Sequence, residues 1–448
     1  MASRHLDTER LLRDLSATIA ATGSVQAAKR EPDDLPGGDP YRHRLASNLS
    51  TLTELGDDPA RPYLGAWVVW LLLGRTSHEV ELSEEVARRQ PIVKIELPAP
   101  DEVSLRQAVR SLLGAVNAEE RRRLADAIAV AAPTVGGVAV ELWMRRAEAL
   151  RRAGGDAVVP LVTPLPSLGD LATLAEHVLT ATDDLASQVL RGAGGQWAEA
   201  LALGAGRDTD VPWPRAITTR WLLDPFEGEA RWFDMPALSL GRMPTLLGGS
   251  SITRALARLG ARWADGARSR QLPRALAELP SGLARLRSGA LFASLLQADP
   301  FLVRGLGMSR PEAVRARRQQ ARVALVALRL EAARALTFRV ALTGDRSAMR
   351  AEAATQVPRA LMAKWPAELT LALPRITPTT PARLLSFGLG ALDARAMRDA
   401  HDVDWFRNPR AVIALRHGLD RAPPTGLTAD EARAALTAAV DDLTANLG

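Results

Sequence analysis

The chain has no cysteine among its 448 residues. That removes a disulfide framework, a thiolate metal site and a cysteine nucleophile. Tyrosine is nearly absent, confined to Tyr41 and Tyr63, and lysine occurs only at Lys29, Lys94 and Lys364. The six histidines are His5, His43, His78, His177, His401 and His417, and no two are four residues apart. Hydrolytic zinc usually takes three side-chain ligands and keeps one open position. No single helix face can supply a histidine pair to such a site here. The acid–imidazole pairs His78-Glu79 and Glu176-His177 point to different helix faces and do not chelate one ion. There is no Gly-x-Ser-x-Gly elbow and no Gly-Lys-Ser/Thr phosphate loop, so neither an α/β-hydrolase nor a P-loop enzyme is indicated. The longest apolar run, Ala66-Trp-Val-Val-Trp-Leu-Leu-Leu73, is far short of a membrane span. The first residues lack a signal-peptide core, so no membrane span and a cytoplasmic protein are expected.

What is abundant is arginine and alanine. The net charge of +6 comes from arginine, and the skew towards it, with abundant alanine, is what a GC-rich genome produces. Spread along this length it is a weak field without a dense basic block. A solvated arginine-rich surface is expected, and nucleic acid is not the expected partner. With 47% hydrophobic residues spread throughout, a large core is expected.

Helical signals dominate. Asn117-Ala-Glu-Glu120, Ser309-Arg-Pro-Glu312 and Thr428-Ala-Asp-Glu431 are capping boxes, in which a side-chain oxygen meets free backbone amides and an acid reaches back. The helix opened by Ser309 should run to about Leu342 and, being apolar around most of its second half, should be central. The arginines of its first half (Arg315, Arg317, Arg318, Arg322) should snorkel to water. Residues 11–20 have helical spacing, and residues 31–40 read as a loop. Extended structure is expected only at residues 91–97 and in a hairpin over residues 221–234, turning at Glu227-Gly228. Breaks at residues 154–166 and 204–214 suggest two units, an N-terminal helical lobe (1–205) and a C-terminal helical lobe (206–448).

Two short segments invite chemistry. Gly248-Gly249-Ser250-Ser251 looks like a nucleophile or phosphate loop, but reads better as a glycine turn with a serine N-cap for a helix over 252–264. The run from His401 to Val412 contains Asp404-Trp-Phe-Arg-Asn-Pro409. Trp405 and Phe406 should anchor it in the core, and Asp402 and Asp404 should pair with Arg407 or Arg410, leaving Asn408 to turn the chain. The acid pairs Asp183-Asp184, Asp33-Asp34 and Glu84-Glu85 are expected at helix starts or facing solvent, and Gly192-Ala-Gly-Gly195 is expected to be a turn.

Taken together, the glycine turn and its helix, Ala277-Glu-Leu-Pro-Ser-Gly-Leu283, the long helices and Asp404-Trp-Phe-Arg-Asn-Pro409 form a pattern over residues 215–445. It resembles the thimet oligopeptidase and oligoendopeptidase F family of zinc peptidases. The resemblance implies a mainly α-helical, bilobal protein with a channel between the lobes. It also implies zinc held by His-Glu-x-x-His and a later glutamate, with the first motif's glutamate as base. Glu278 matches the later glutamate. The histidines would fall near Gly249 and Thr253 and the base near Ser250, and none of those residues is present. The family's tyrosine segment would fall over 374–390, which has no tyrosine. The resemblance therefore implies a pseudoenzyme without zinc or other cofactor, binding a peptide or protein partner. A hydrolase with a site of another kind, or an arginine-rich nucleic-acid-binding protein, are the alternatives.

Overall fold

The computed structural model describes residues 8–17 (except 14), 58–95, 101–206 (except 116), 217–226, 249–268, 272–419 and 423–448, together with Val211, Trp213 and Trp232. In chain order the helices are α1 (Arg61–Arg89), α2 (Leu105–Gly114), α3 (Ala118–Ala153), α4 (Val159–Val162), α5 (Leu168–Ala181), α6 (Asp183–Leu190), α7 (Trp197–Gly204) and α8 (Thr219–Leu223). They continue with α9 (Gly249–Ala267), α10 (Arg274–Ala277), α11 (Leu283–Ser294), α12 (Arg310–Ala341), α13 (Arg346–Leu361), α14 (Thr380–His401), α15 (Pro409–Leu419) and α16 (Ala429–Leu447). The protein is mainly α-helical, as expected. Two strands, β1 (Pro91–Ile95) and β2 (Asp101–Ser104), form an antiparallel ribbon.

The capping signals act where they are written. Asn117 Oδ1 accepts from the Glu120 N–H at 2.7 Å to start α3. Thr428 Oγ1 accepts from the Glu431 N–H at 3.2 Å while the Thr428 N–H donates to the Glu431 carboxylate at 2.9 Å, starting α16. At α12 the Ser309 N–H donates to Glu312 at 2.8 Å. Pro311 is accommodated in the first turn, where amides have no helical partner.

The expected hairpin over 221–234 is corrected. Its first arm is helical, because Thr218 caps α8 by accepting from the Trp221 N–H at 3.1 Å, and residues Asp224–Phe226 continue as a 3-10 turn. The Glu227-Gly228 turn lies outside the described residues, as do the 31–40 loop and Asp33-Asp34. Extended structure at 91–95 is found, paired with 101–104, a partner strand the sequence pattern did not reveal.

The largest core is aliphatic. It joins α3 and α5 to the second half of α12 and to α13, α14 and α16 through residues such as Val135, Leu174, Leu328, Leu361, Leu385 and Leu436. This core crosses the 205/206 boundary, so the division expected there does not coincide with a break in packing. A second core is aromatic and lies around α9 and α11, with Phe226, Trp232, Trp263, Phe292, Phe301, Trp405 and Phe406. There α9 and α11 meet backbone to backbone. A Cβ on Gly260 would lie 2.4 Å from the Ser288 carbonyl oxygen, and one on Gly289 would lie 2.7 Å from that of Ala257. Only glycine permits this approach.

α12 is central, but an arginine sits in its apolar half. Arg329 is fully buried. Its guanidinium donates to the Leu179 and Ala360 carbonyls (2.9 Å each), to Thr182 Oγ1 (2.7 Å), to the Arg359 carbonyl (2.8 Å) and to Asp183 (2.9 Å). The charge therefore caps the C-terminal carbonyls of α5 and α13 together, where a cation is favoured. Asp183, expected to serve a helix start, is its counter-ion.

One described helix, α3, is long and apolar enough to cross a membrane by length and composition, and half of its most apolar window is buried in the protein. A core helix passes the same test.

Candidate functional site

α9 links the two segments singled out in the sequence, and its two ends differ. At its N-terminal end the helix starts at Gly249, earlier than the expected 252, and Ser250 and Ser251 lie inside its first turn. They are not its N-cap. The Gly249 and Ser250 N–H groups donate instead to the Gly206 and Ala205 carbonyls at 2.9 and 3.0 Å. A preceding turn thus supplies backbone acceptors and makes a side-chain cap unnecessary.

Around this start the polar groups form a closed joint. Thr253 Oγ1 bonds the Gly249 carbonyl at 3.0 Å and Gln320 Oε1 at 2.6 Å, and Gln320 Nε2 donates to the same carbonyl at 3.2 Å. Trp213 Nε1 donates to Gln319 at 2.5 Å. A Cβ at Gly249 would lie 2.7 Å from Gln320 Nε2 and 2.9 Å from Gln319 Oε1, so a larger residue would push these amides off their bonds. Ser250 Oγ is buried without a partner among the described residues. No His, Asp or Glu side chain bonds it among the described residues.

Glu278 stands at the other end. It follows α10 in extended conformation, not on a helix. Its carboxylate pairs with Arg268 at 3.1 Å and Arg285 at 3.6 Å. Arg285 also pairs with Asp265 at 3.0 Å. Burial pushes the Asp265 carboxyl above its ordinary value, against the opposing pull of Arg285 and Arg268. Thr253 and Arg268 lie on and just beyond α9, and at ~1.5 Å rise per residue they are ~20 Å apart along its axis. The fold therefore does not bring Glu278 together with Gly249, Ser250 and Thr253. A carboxylate held by two guanidiniums, with no histidine beside it among the described residues, does not fit the zinc site that the resemblance implies.

Glu278 does face a cleft. An open cavity of about 480 Å³ lies between α1, the end of α3, the segment 278–282, α11 and the segment 375–383. Trp67 and Trp70, packed edge to face at 5.7 Å, form an aromatic wall. Trp67 is fixed by donating to the Glu278 carbonyl at 2.8 Å and the Ala275 carbonyl at 3.1 Å, which ties α1 to the Glu278 segment. Arg146 lies over the Trp143 ring and pairs with Glu81 at 3.2 Å, and burial holds its pKa below the usual guanidinium value. Arg375 pairs with Glu84 at 2.6 Å. Glu84 was expected to sit at a helix start or in solvent, but it is buried within α1, held by Arg88 and Arg375. Arg274 and Arg383 also line the cleft, are exposed, and have no acidic partner among the described residues.

The C-terminal corner is structural. Trp405 and Phe406 are buried in the aromatic core as expected, and the Phe406 carbonyl accepts from Trp232 Nε1 at 2.5 Å. Asp404 pairs with Arg304 at 2.6 Å, not with Arg407 or Arg410. Asp402 accepts from the Val403 N–H at 2.6 Å. Asn408 Oδ1 caps α15 by accepting from the Arg410 N–H at 3.0 Å, and Arg407 is exposed.

Among the described residues no group of three histidine, aspartate or glutamate side chains is placed to hold a metal ion. His177 meets Thr437 at 3.1 Å, and Gly194 and Gly195 form the expected turn with φ of 57° and 73°. The cleft residues Trp67, Trp70, Arg274 and Arg383 were not singled out in the sequence. The available signal was Trp67 and Trp70 three apart in one apolar run, a pattern that a core face produces equally well. No protein-family model, curated protein or solved structure matches this chain.

Proposed function

We propose that this chain is a binding protein without peptidase activity, and that its cleft takes an acidic peptide or an acidic segment of a protein partner. The observation that carries the reading is the pairing, in one cleft, of an aromatic wall (Trp67, Trp70) with two exposed arginines, Arg274 and Arg383, that have no acidic partner among the described residues. The other cleft arginines are already engaged by Glu81, Glu84, Asp265 and Glu278. Guanidinium groups recognise carboxylates in a planar, two-toothed geometry, and tryptophan supplies rigid apolar contact beside them. A cleft of about 480 Å³ is in the size range of ligand sites. The absence of peptidase activity rests on the arginine-bound state of Glu278 and on the polar joint that replaces a metal motif at Gly249.

Calorimetric titration with an eight-residue peptide alternating glutamate and leucine, and with its glutamine counterpart, tests the reading. The glutamate peptide should bind at least tenfold more tightly, with affinity falling as salt rises. An Arg274→Gln, Arg383→Gln double variant should lose that preference. Equal binding of both peptides, or an unaffected double variant, overturns the assignment. Stoichiometric zinc in purified protein, or peptide hydrolysis abolished by Glu278→Gln, overturns the non-catalytic part.

A further inference from the structure

The helix α3 has an outward face that nothing among the described residues covers. Residues 127–140 contain no charged side chain. Within them Val130 is 83% exposed, the most exposed of the large apolar residues described, and Thr134 and Gly137 are exposed beside it. Such a surface on a long helix is costly to leave in water. Gly137 is not required by the chain's own packing, since a Cβ there would meet nothing within 4 Å. Its neighbour Gly136 differs, because a Cβ there would lie 3.0 Å from the Thr370 carbonyl oxygen. Glycine weakens a helix interior, so an outward one with room to spare suits the close approach of another backbone.

The two ends of this face carry opposite charges in a self-complementary order. Laid antiparallel on a second copy about the level of Ala132, α3 sets Glu119 opposite Arg145 and Arg123 opposite Glu141. The same register sets Ala127 opposite Gly137 and Val130 opposite Thr134. These residues follow one another at intervals of three or four, so they share one side of the helix. Sliding the register by one turn sets Glu119 against Glu141 or Arg123 against Arg145, so one register alone satisfies both ends. Within one chain Arg123 pairs with Glu119, and Glu141 with Arg145 and Arg346, all near the surface. We propose that α3 is a self-association surface, on which two copies of this chain pair through antiparallel α3 helices about a two-fold axis. The contact is isologous, each copy offering the same patch. Burial of the uncharged middle supplies the attraction, and the end charges fix the register. Of α3 only Arg146 lines the cleft, and the surface does not rest on the peptide reading.

Sedimentation equilibrium of the full chain up to ~100 µM should show a concentration-dependent dimer. Val130→Glu, at an exposed position, should keep the helical circular-dichroism signal and weaken dimerisation at least tenfold. Arg123→Glu should weaken it severalfold, since it places glutamate opposite Glu141. Adding Glu141→Arg to that variant should recover most of the loss. The chain has no cysteine of its own, so an oxidised mixture of Val130→Cys and Thr134→Cys chains should give more linked dimer than either variant alone. The Arg274→Gln, Arg383→Gln cleft variant should dimerise as wild type does. The proposal is overturned by a monomer at every concentration, by a Val130→Glu variant that dimerises as wild type does, or by a charge exchange that restores nothing. Binding to phosphatidylcholine vesicles that Val130→Glu abolishes would assign the face to a membrane and overturn it equally.

Discussion

The two ends of α9 show how one helix can be sealed at its start and left open at its finish. At Gly249 the amides are met by the carbonyls of Ala205 and Gly206, and Thr253, Gln319 and Gln320 close on one another. At Arg268 the charges are paired with Glu278 and Asp265, and two cavities open beside Glu278. A nearly complete hydrogen-bond set rigidifies a joint, whereas a concave opening lined by aromatic and charged groups is where ligands bind. The segment that looks most like a catalytic loop is bonded into a polar joint, and the opening lies ~20 Å along the same helix.

The comparison can be broken most severely at the best-satisfied group in the molecule. Arg329→Met should cost about 3–5 kcal/mol, because it strands the buried Leu179, Arg359 and Ala360 carbonyls that the guanidinium now serves. Urea unfolding measures this, and a loss under 1 kcal/mol would contradict the account.

Two glycines then sharpen the contrast between closed and open surroundings. Gly249→Ala should destabilise by about 1–2 kcal/mol, since the new methyl meets Gln320 Nε2 and Gln319 Oε1 at 2.7 and 2.9 Å. Gly418→Ala, facing open space within α15, should stabilise by about 0.5–1 kcal/mol through helix propensity. Thermal melts of the two variants should move in opposite directions.

The smallest effect expected is a pH dependence at Asp265. Burial raises its folded-state pKa, so in the carboxylate range the folded chain holds this proton more readily than the unfolded one does. This site's contribution to stability should therefore rise as pH falls through the raised folded pKa towards the unfolded value. Asp265→Asn lacks that titration, so wild type should gain stability relative to the variant on acidification. Denaturant midpoints of both proteins at neutral and at mildly acidic pH would show it, and a relative shift in the other direction would refute the assignment.

Much of the fold was legible locally. The caps at Asn117, Ser309 and Thr428, the strand at 91–95, the turn at Gly194-Gly195 and the burial of Trp405 and Phe406 all follow from residue type and spacing. Errors came where a distant backbone replaced a local partner. A serine N-cap before residue 252 follows from local pattern alone, because the sequence does not show that the Ala205 and Gly206 carbonyls reach the first amides of α9. Asp404 has arginines three and six residues away, but its partner is Arg304, a hundred positions earlier in the chain. Arg329, inside an apolar stretch, drew no attention because its partners come from α5, α13 and the start of α6.

The sequence by itself determined that this chain is helical, where most of its long helices begin, and that cysteine chemistry and a local histidine pair are excluded. These follow from short-range physics: propensity, capping and the presence or absence of a side chain. Only the tertiary structure decided that Gly249, Ser250 and Thr253 form a packed joint, that Glu278 is bound by arginines, and that Trp67, Trp70, Arg274 and Arg383 share a cleft. Those relations join residues up to about three hundred positions apart, and burial and charge pairing at such separations are set by how helices stack, which no local pattern encodes.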